Sequence, residues 1–595
     1  MGNKKKYGYK KKRKFVANQF AKTPKRSRIS EDRTDVGESS TSSDQTSASA
    51  SARKISTATP VSPHVDPSKD TKEKAFGIRF VDMSILSGIF ELLPCKECKE
   101  CNLELLEDSG KRKGCASYLH LVCSTCNWKK EFYTSSQVNR FFEVNRRMVY
   151  SMRSVGCGPA AAKRFCGLMN MPPPPRPTPY SSHNREILKA TKTVCMETMS
   201  EAAKEIHDLK KKPYDEIIDC AISCDGTWQR RGFSSLNGCV AVISMDNGKV
   251  LDVEALSKVC KKCKEYEKMA DTPETSAIKA DHKSKCKANY QGSAPSMEPE
   301  GALRMFNQSV ECNKLTYSEF FGDGDSKSYS TVKDVYEEDN ITVVKKECVG
   351  HVQKRLGTAL RKLKKEKKGL GGKGRLIDAM IDKLQNYYGI AIRSNSGDLA
   401  GMKKAIHATL FHCASSEERK LHHHCPEGED SWCGFMRDKA TGKKEYKHGP
   451  GLPLPIIAEL KPVFLRLSDD SLLSKCLDGK TQNQNESLNA MIWERLPKQV
   501  FVGSDVLRLG VYDAVAHFNI GANAAVQVLS RMGIIPGEFC THACTSTDRL
   551  RIKKANYKAD EKNKKQRKII RAKRKKKGDK DQSKEGVTYA SGSFP

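Results

Sequence analysis

Nowhere in the 595 residues does an apolar run approach the length that spans a bilayer. The opening residues, MGNKKKYGYKKKRKF, hold no apolar core of the kind a signal peptide needs. The expectation is an intracellular protein with no membrane partner. Acid is also scarce: 71 Asp and Glu against 105 Lys and Arg leave a formal net charge of +34. An excess of that size favours a polyanionic partner, and with membranes set aside the partner expected is nucleic acid. No internal repeat is present, which excludes a solenoid or propeller. There are 23 cysteines. In an intracellular chain they stay reduced, so clustered Cys and His point to zinc rather than disulfides.

Composition divides the chain. Residues 1–75 are rich in Lys and Arg, then in Ser, Thr and Ala, with too little apolar surface to offset ordering entropy, so a disordered tail is expected. Residues 541–595, with KNKKQRKIIRAKRKKKGDK, are expected to be a second one. Basic runs at both ends make the nucleus the expected location. Residues 76–130 hold the first cysteine group. Residues 131–212 read as helical, interrupted by a Pro-rich linker at 171–179. Residues 213–540 read as an α/β domain. DEIIDCAISCDGTW, whose apolar run ends at Asp225, GCVAVISM and KVLDVEALS are three strands, with DNG as the turn between the last two. YSEFFG and ITVVKK add a fourth and a fifth. Insertions fall at 257–290 and, mostly helical, at 370–475. In TQNQNESLNAMIWERL, Leu488, Met491, Ile492 and Leu496 share one helix face.

Three clusters have zinc chemistry. Cys98-x2-Cys101 and Cys123-x2-Cys126 have the paired-knuckle spacing of a zinc ribbon, with Cys95 as an alternative first ligand and Cys115 as a bystander. Cys260-x2-Cys263 with His282-x3-Cys286 is a finger pattern inserted after the third strand. HHHCPEGEDSWC offers His422, His423, His424, Cys425 and Cys433, with His412 and Cys413 upstream. Its spacing fixes no one set; Cys425, Cys433 and His424 are the candidates taken.

Carboxylates supply the other chemistry. Asp225 ends an apolar run, and Asp323 ends another in YSEFFGDGDSKSY. Glu486 lies on a helix with Asn485 and Asn489 beside it. Two-metal phosphodiester chemistry needs acids converging from separate elements, and hard Mg²⁺ needs only a few of them. Asp325 is the alternative to Asp323 as a metal ligand.

CDGTWQRRGFSSLNG, GDGDSKSY, KECVGHVQKRLG and NQNESLN together resemble the Mutator-like transposase domain family, over about residues 90–540. The resemblance implies a DDE transposase with an RNase H-like core, a zinc finger and a helical insertion, acting on double-stranded DNA at transposon ends and target. It implies Asp225, Asp323 and Glu486 as the catalytic acids, Mg²⁺ or Mn²⁺ as the catalytic metal beside structural Zn²⁺, and a dimer or larger assembly. The Cys348-x2-His351 pair matches a family Cys-x-x-His element. Arg230, Arg231, Lys354, Arg355, Arg361 and Lys362 are candidate phosphate contacts. The alternative is a domesticated nuclear DNA-binding zinc protein that has lost catalysis.

Overall fold

The run IDCAISCDGTW forms strand β1 (Ile218–Trp228), the middle strand of a five-stranded mixed sheet. The computed structural model describes residues 49–56, 76–230, 234–270, 272–322, 327–372, 374–429, 431–442, 445–560, 562–564, 566–567 and 569–571. Strands β2 (Asn237–Ser244) and β3 (Val250–Ser257) continue from β1 as an antiparallel meander. Strand β4 (Leu315–Gly322) lies parallel to β1 on its other side, and β5 (Val344–Glu347) lies parallel to β4. The order is β5-β4-β1-β2-β3. All five strands fall where the apolar runs predict them.

Helices cover both faces. Those packed on the sheet are α1 (Pro177–Lys210), α2 (Met297–Asn313), α4 (Asn483–Arg495) and α5 (Ser504–Ile520); α3 (Val349–Glu366) leads into the helical insertion, and α6 (Glu538–Ala559) follows further along the chain. Side chains alternate along a strand, so β2 serves two cores. Val240 and Val242 pack with Met305 and Phe306 of α2. Cys239, Ala241 and Ile243 pack with Leu488 and Ile492 of α4, with Leu496 just past its end, and with Val511 and Val515 of α5. The apolar stripe expected on α4 is therefore the face it buries, with Met491 at its margin. The helical insertion builds its own core: Val352, Leu356 and Leu360 of α3 meet helices Asp378–Arg393, Leu399–Ala414 and Leu454–Leu467. The finger insertion carries two short helices, Lys261–Tyr266 and Pro273–Ser284.

Four boundaries differ from expectation. Strand β1 runs three residues past Asp225, because β2 keeps pairing with it to Trp228↔Gly238 after its last parallel partner, Ser223↔Phe321. The Pro-rich linker ends early: Pro177 opens α1, since proline's missing N–H costs nothing in a first helical turn. Residues 541–559, expected in the tail, belong to α6. They are anchored by polar bonds that leave no apolar period to read: both Asp548 carboxylate oxygens accept from the Ala522 N–H at 2.9 Å, and Arg551 donates to the His517 carbonyl. Within the N-terminal tail, helix Ala50–Ser56 is ordered, with Lys54 3.5 Å above the centre of the Phe518 ring. The rest of the expected 1–75 tail, and residues 572–595, lie outside the described residues. Among the described residues no helix is long and apolar enough to cross a membrane.

Candidate active site and zinc clusters

Asp225 stands on β1 two residues past the last β1–β4 pair, where the sheet opens. Helix α4 closes over this end of the strand through four amide side chains. The Ser223 hydroxyl donates to Asn485 Oδ1 at 2.8 Å. Asn489 Nδ2 donates to Asp225 Oδ2 at 2.8 Å. Gln482 Nε2 donates to the carbonyls of Cys224 and Phe321, at 3.3 and 3.1 Å, and so ties the ends of β1 and β4 together. Gln484 packs over the β2–β3 turn, where a Cβ on Gly248 would lie 2.6 Å from its Oε1. Gly248 also has φ +72°, so that turn requires glycine twice over.

Asn485 and Asn489 therefore orient β1 and its aspartate, not Glu486. Glu486 is one turn from Asn489 on the same helix face. Its side chain is 65% exposed, with its nearest cation, Lys354 Nζ, 3.7 Å away. Asp323 and Asp325 lie outside the described residues, as does Arg231. Gly322, immediately before Asp323, is the last residue of β4.

Cys348 caps the start of α3 and is buried, with its Sγ accepting from the Gln482 N–H at 3.3 Å. Cys348 thus braces the start of α4. Among the described residues, neither Cys348 nor His351 belongs to a metal-ligand cluster. Of the expected phosphate contacts, Arg230 is exposed just past β1. Arg355 is already engaged: it forms a bidentate pair with buried Glu347, the shorter contact being 2.8 Å. Arg361 pairs with Asp382 at 2.6 Å, and Lys362 faces Glu366 at 3.7 Å. Gln482 was not foreseen; an amide preceding an acidic helix carries no sequence signal of its own.

Three Cys/His clusters could each hold a zinc ion, with the ligand atoms in each group within 4.8 Å of one another. Tetrahedral Zn–S bonds of roughly 2.3 Å place sulfurs about 3.8 Å apart. The ribbon fits this with Cys95, Cys98, Cys123 and Cys126: Cys95–Cys126 is 3.6 Å and Cys98–Cys123 is 3.5 Å. Cys101 stands outside the group and is exposed. The two knuckles are twins. Lys99 N–H donates to the Cys95 carbonyl and Cys95 N–H to that of Glu100; Asn127 N–H donates to the Cys123 carbonyl and Cys123 N–H to that of Trp128. Each turn places its fifth residue, Lys99 or Asn127, at positive φ. Asn marks such a turn in sequence and Lys does not, so the register between Cys95 and Cys101 could not be read.

The finger joins all four expected ligands: Cys260 and Cys263 each lie 3.3 Å from His282 Nε2, and Cys263 lies 3.3 Å from Cys286. The His-rich group resolves to His412, His422, Cys425 and Cys433, with Cys433 at 3.4 Å from His422 Nδ1 and 3.6 Å from His412 Nδ1. His424 stands outside it. A turn from the His422 carbonyl to the Cys425 N–H makes His422-x2-Cys425 the knuckle, and His424 lies against the Phe411 ring instead, tilted by 41°. Cys413 is buried in the insertion core. Purified chain is expected to contain about three zinc ions. Cys95→Ser should lose one and Cys101→Ser none, by elemental analysis; the reverse result would restore the Cys98/Cys101 knuckle.

A Mutator-like transposase model matches residues 77–433, more than half of the chain. The chain belongs to that family. No curated protein matched the chain. Membership in the Mutator-like transposases implies DNA binding and a transposase type of function. The match takes in the ribbon, the finger, Asp225 and the His-rich cluster to its last ligand, Cys433. Glu486 and α4 lie beyond it.

Proposed function

We propose that this Mutator-like transposase is of DDE type with an RNase H-like core, cleaving transposon-end DNA and joining the freed 3′-hydroxyl to target DNA. The bond from Asn489 to Asp225 carries this reading. It brings the helix of Glu486 onto the strand of Asp225, at the end of β1 where β4 runs on into Asp323. Three antiparallel strands followed by two parallel ones support the core assignment. An all-oxygen carboxylate set suits a hard divalent cation such as Mg²⁺ or Mn²⁺, whereas the thiolate clusters suit zinc, so the two kinds of site differ in chemistry. When bound, two such ions would activate the attacking oxygen and stabilise the leaving one.

The chain's own part is positional. Asn489 fixes the Asp225 carboxylate. Gln482 holds the ends of β1 and β4 in register. Glu486 adds an acid from a further element, Asp323 follows β4 directly in sequence, and exposed Lys354 and Arg230 offer charge to the DNA backbone. Joining two transposon ends calls for two copies of the chain, and the basic termini suit nuclear import. A supercoiled plasmid carrying the element's ends should be nicked by the zinc-loaded chain when Mg²⁺ or Mn²⁺ is added and left intact when neither is supplied. Salt-sensitive binding with no nicking in either metal would instead establish the lapsed, DNA-binding protein.

A further inference from the structure

We propose that Glu298 is a fourth acid of this site, presenting its carboxylate to the divalent metal that Asp225 would hold; the inference rests on the DDE reading above. Glu298 is the second residue of α2, on the sheet face opposite α4. It approaches β1 at Gly226, the residue after Asp225. A Cβ on Gly226 would lie 2.8 Å from both the Glu298 Cγ and its Oε2, a contact that real Cβ atoms do not make. Glycine inside a strand weakens it and commonly marks the close approach of another group. Here that group is a carboxylate. Chain geometry puts Glu298 Oε2 within about 8 Å of the Asp225 Cα, a span that a pair of metal ions and their ligands can fill.

Two bonds hold Glu298 there. Trp228 Nε1 donates to the Ala294 carbonyl at 2.8 Å, which pins the chain entering α2 to the end of β1. The Ser328 hydroxyl, fully buried, donates to Glu298 Oε1 at 2.8 Å. Stabilising the helix end does not require this placement. Glu300 lies in the same first turn, where it pairs with Arg304 at 2.9 Å. Asp225 and Glu298 thus flank one strand end from its two faces, and an oxygen-seeking cation would take ligands from both.

The test is Mn²⁺ binding to the zinc-loaded full chain, followed by the electron paramagnetic resonance of free Mn²⁺. Glu298→Gln is expected to weaken binding about tenfold or more. Asp225→Asn should do the same, and Glu300→Gln, in the same first turn but paired with Arg304, should stay within about twofold of the unaltered chain. If Glu298→Gln binds as the unaltered chain does while Asp225→Asn is weakened, Glu298 is a helix-end acid and the inference fails alone. If Asp225→Asn also binds normally, the metal reading fails and takes the inference with it. If Glu300→Gln weakens binding as much as Glu298→Gln, the effect comes from negative charge at the helix end and not from coordination, and the inference again fails. Circular dichroism and unchanged zinc content establish that each variant is folded.

Discussion

Asp225→Asn is expected to reduce metal-dependent strand cleavage by a factor on the order of 10²–10³ or more while leaving DNA binding in place. The substitution keeps the size of the side chain, so β1 and its pairing with β2 should survive. What it removes is a negative charge at a position where Asn489 already donates to Oδ2. An amide in place of that carboxylate can still accept this bond through its oxygen, but it presents its other face to a cation as N–H donors. The loss should therefore appear in turnover and in the concentration of Mn²⁺ needed for half-maximal rate. Binding to the DNA backbone, supplied by a surplus of Lys and Arg, should move little. Glu486→Gln should behave similarly in turnover with a smaller effect on stability, since Glu486 is exposed and bonded only loosely to Lys354. Cleavage that persists in Asp225→Asn at the unaltered rate would remove Asp225 from the mechanism. Binding and cleavage lost together, with normal circular dichroism, would place it in DNA contact instead.

The strands of the sheet were legible because their apolar runs are short, β-branched and bounded by turn residues; β2, buried along its whole length, is the plainest case. The finger was legible because its two ligand pairs admit one register only. The ribbon admitted two, since Cys95, Cys98 and Cys101 are equally spaced, and only the backbone turn at Lys99 decides between them. The His-rich group was legible only in part, in Cys425 and Cys433, because three adjacent histidines present one cluster with several ligand sets. The acids were legible singly, but not what holds them. Asn485, Asn489 and Gln482 come from a helix more than 250 residues downstream of β1 and act through side chain to strand bonds that have no periodicity. Arg355 misled because a basic helix face reads the same whether its charges meet solvent or a buried partner such as Glu347. Helix α6 hid behind lysines because its anchors, Asp548 and Arg551, are polar.

Asp513→Ala is expected to destabilise the core by about 3–5 kcal/mol, read as a lowered urea midpoint, because it strands a buried cation. Asp513 lies on α5, almost wholly inaccessible, and joins three helices. The Tyr150 hydroxyl, from helix Glu143–Ser154, donates to Oδ1 at 2.8 Å. Arg495 Nε, from the last turn of α4, donates to Oδ2 at 2.5 Å, and His517 Nδ1 lies 3.4 Å from the same oxygen. Burial alone would raise the Asp513 carboxyl, but the charges of His517 and Arg495 and the donated bonds outweigh it and hold it below its ordinary 3.8. Burial likewise pushes His517 below its ordinary 6.5, against the pull of Asp513. Both depressed values act in one direction. The stability due to His517 is complete above about pH 6.5 and is lost as pH falls through its lower folded value. That due to Asp513 is complete above about pH 3.8 and is lost as pH falls further. The unaltered chain should therefore weaken as it is acidified, and Asp513→Ala should lose the component below pH 3.8. Replacing both ends of the pair, Asp513→Leu with Arg495→Met, should recover much of the loss, since the cost comes from the unpaired charge more than from the missing bond. The functional consequence follows from α4 itself. Arg495 anchors the same helix that carries Glu486 and Asn489, so loosening it should slow metal-dependent cleavage at temperatures where the chain is still folded. A double variant that is stable but slow would show that Asp513 sets the position of α4 as well as its stability.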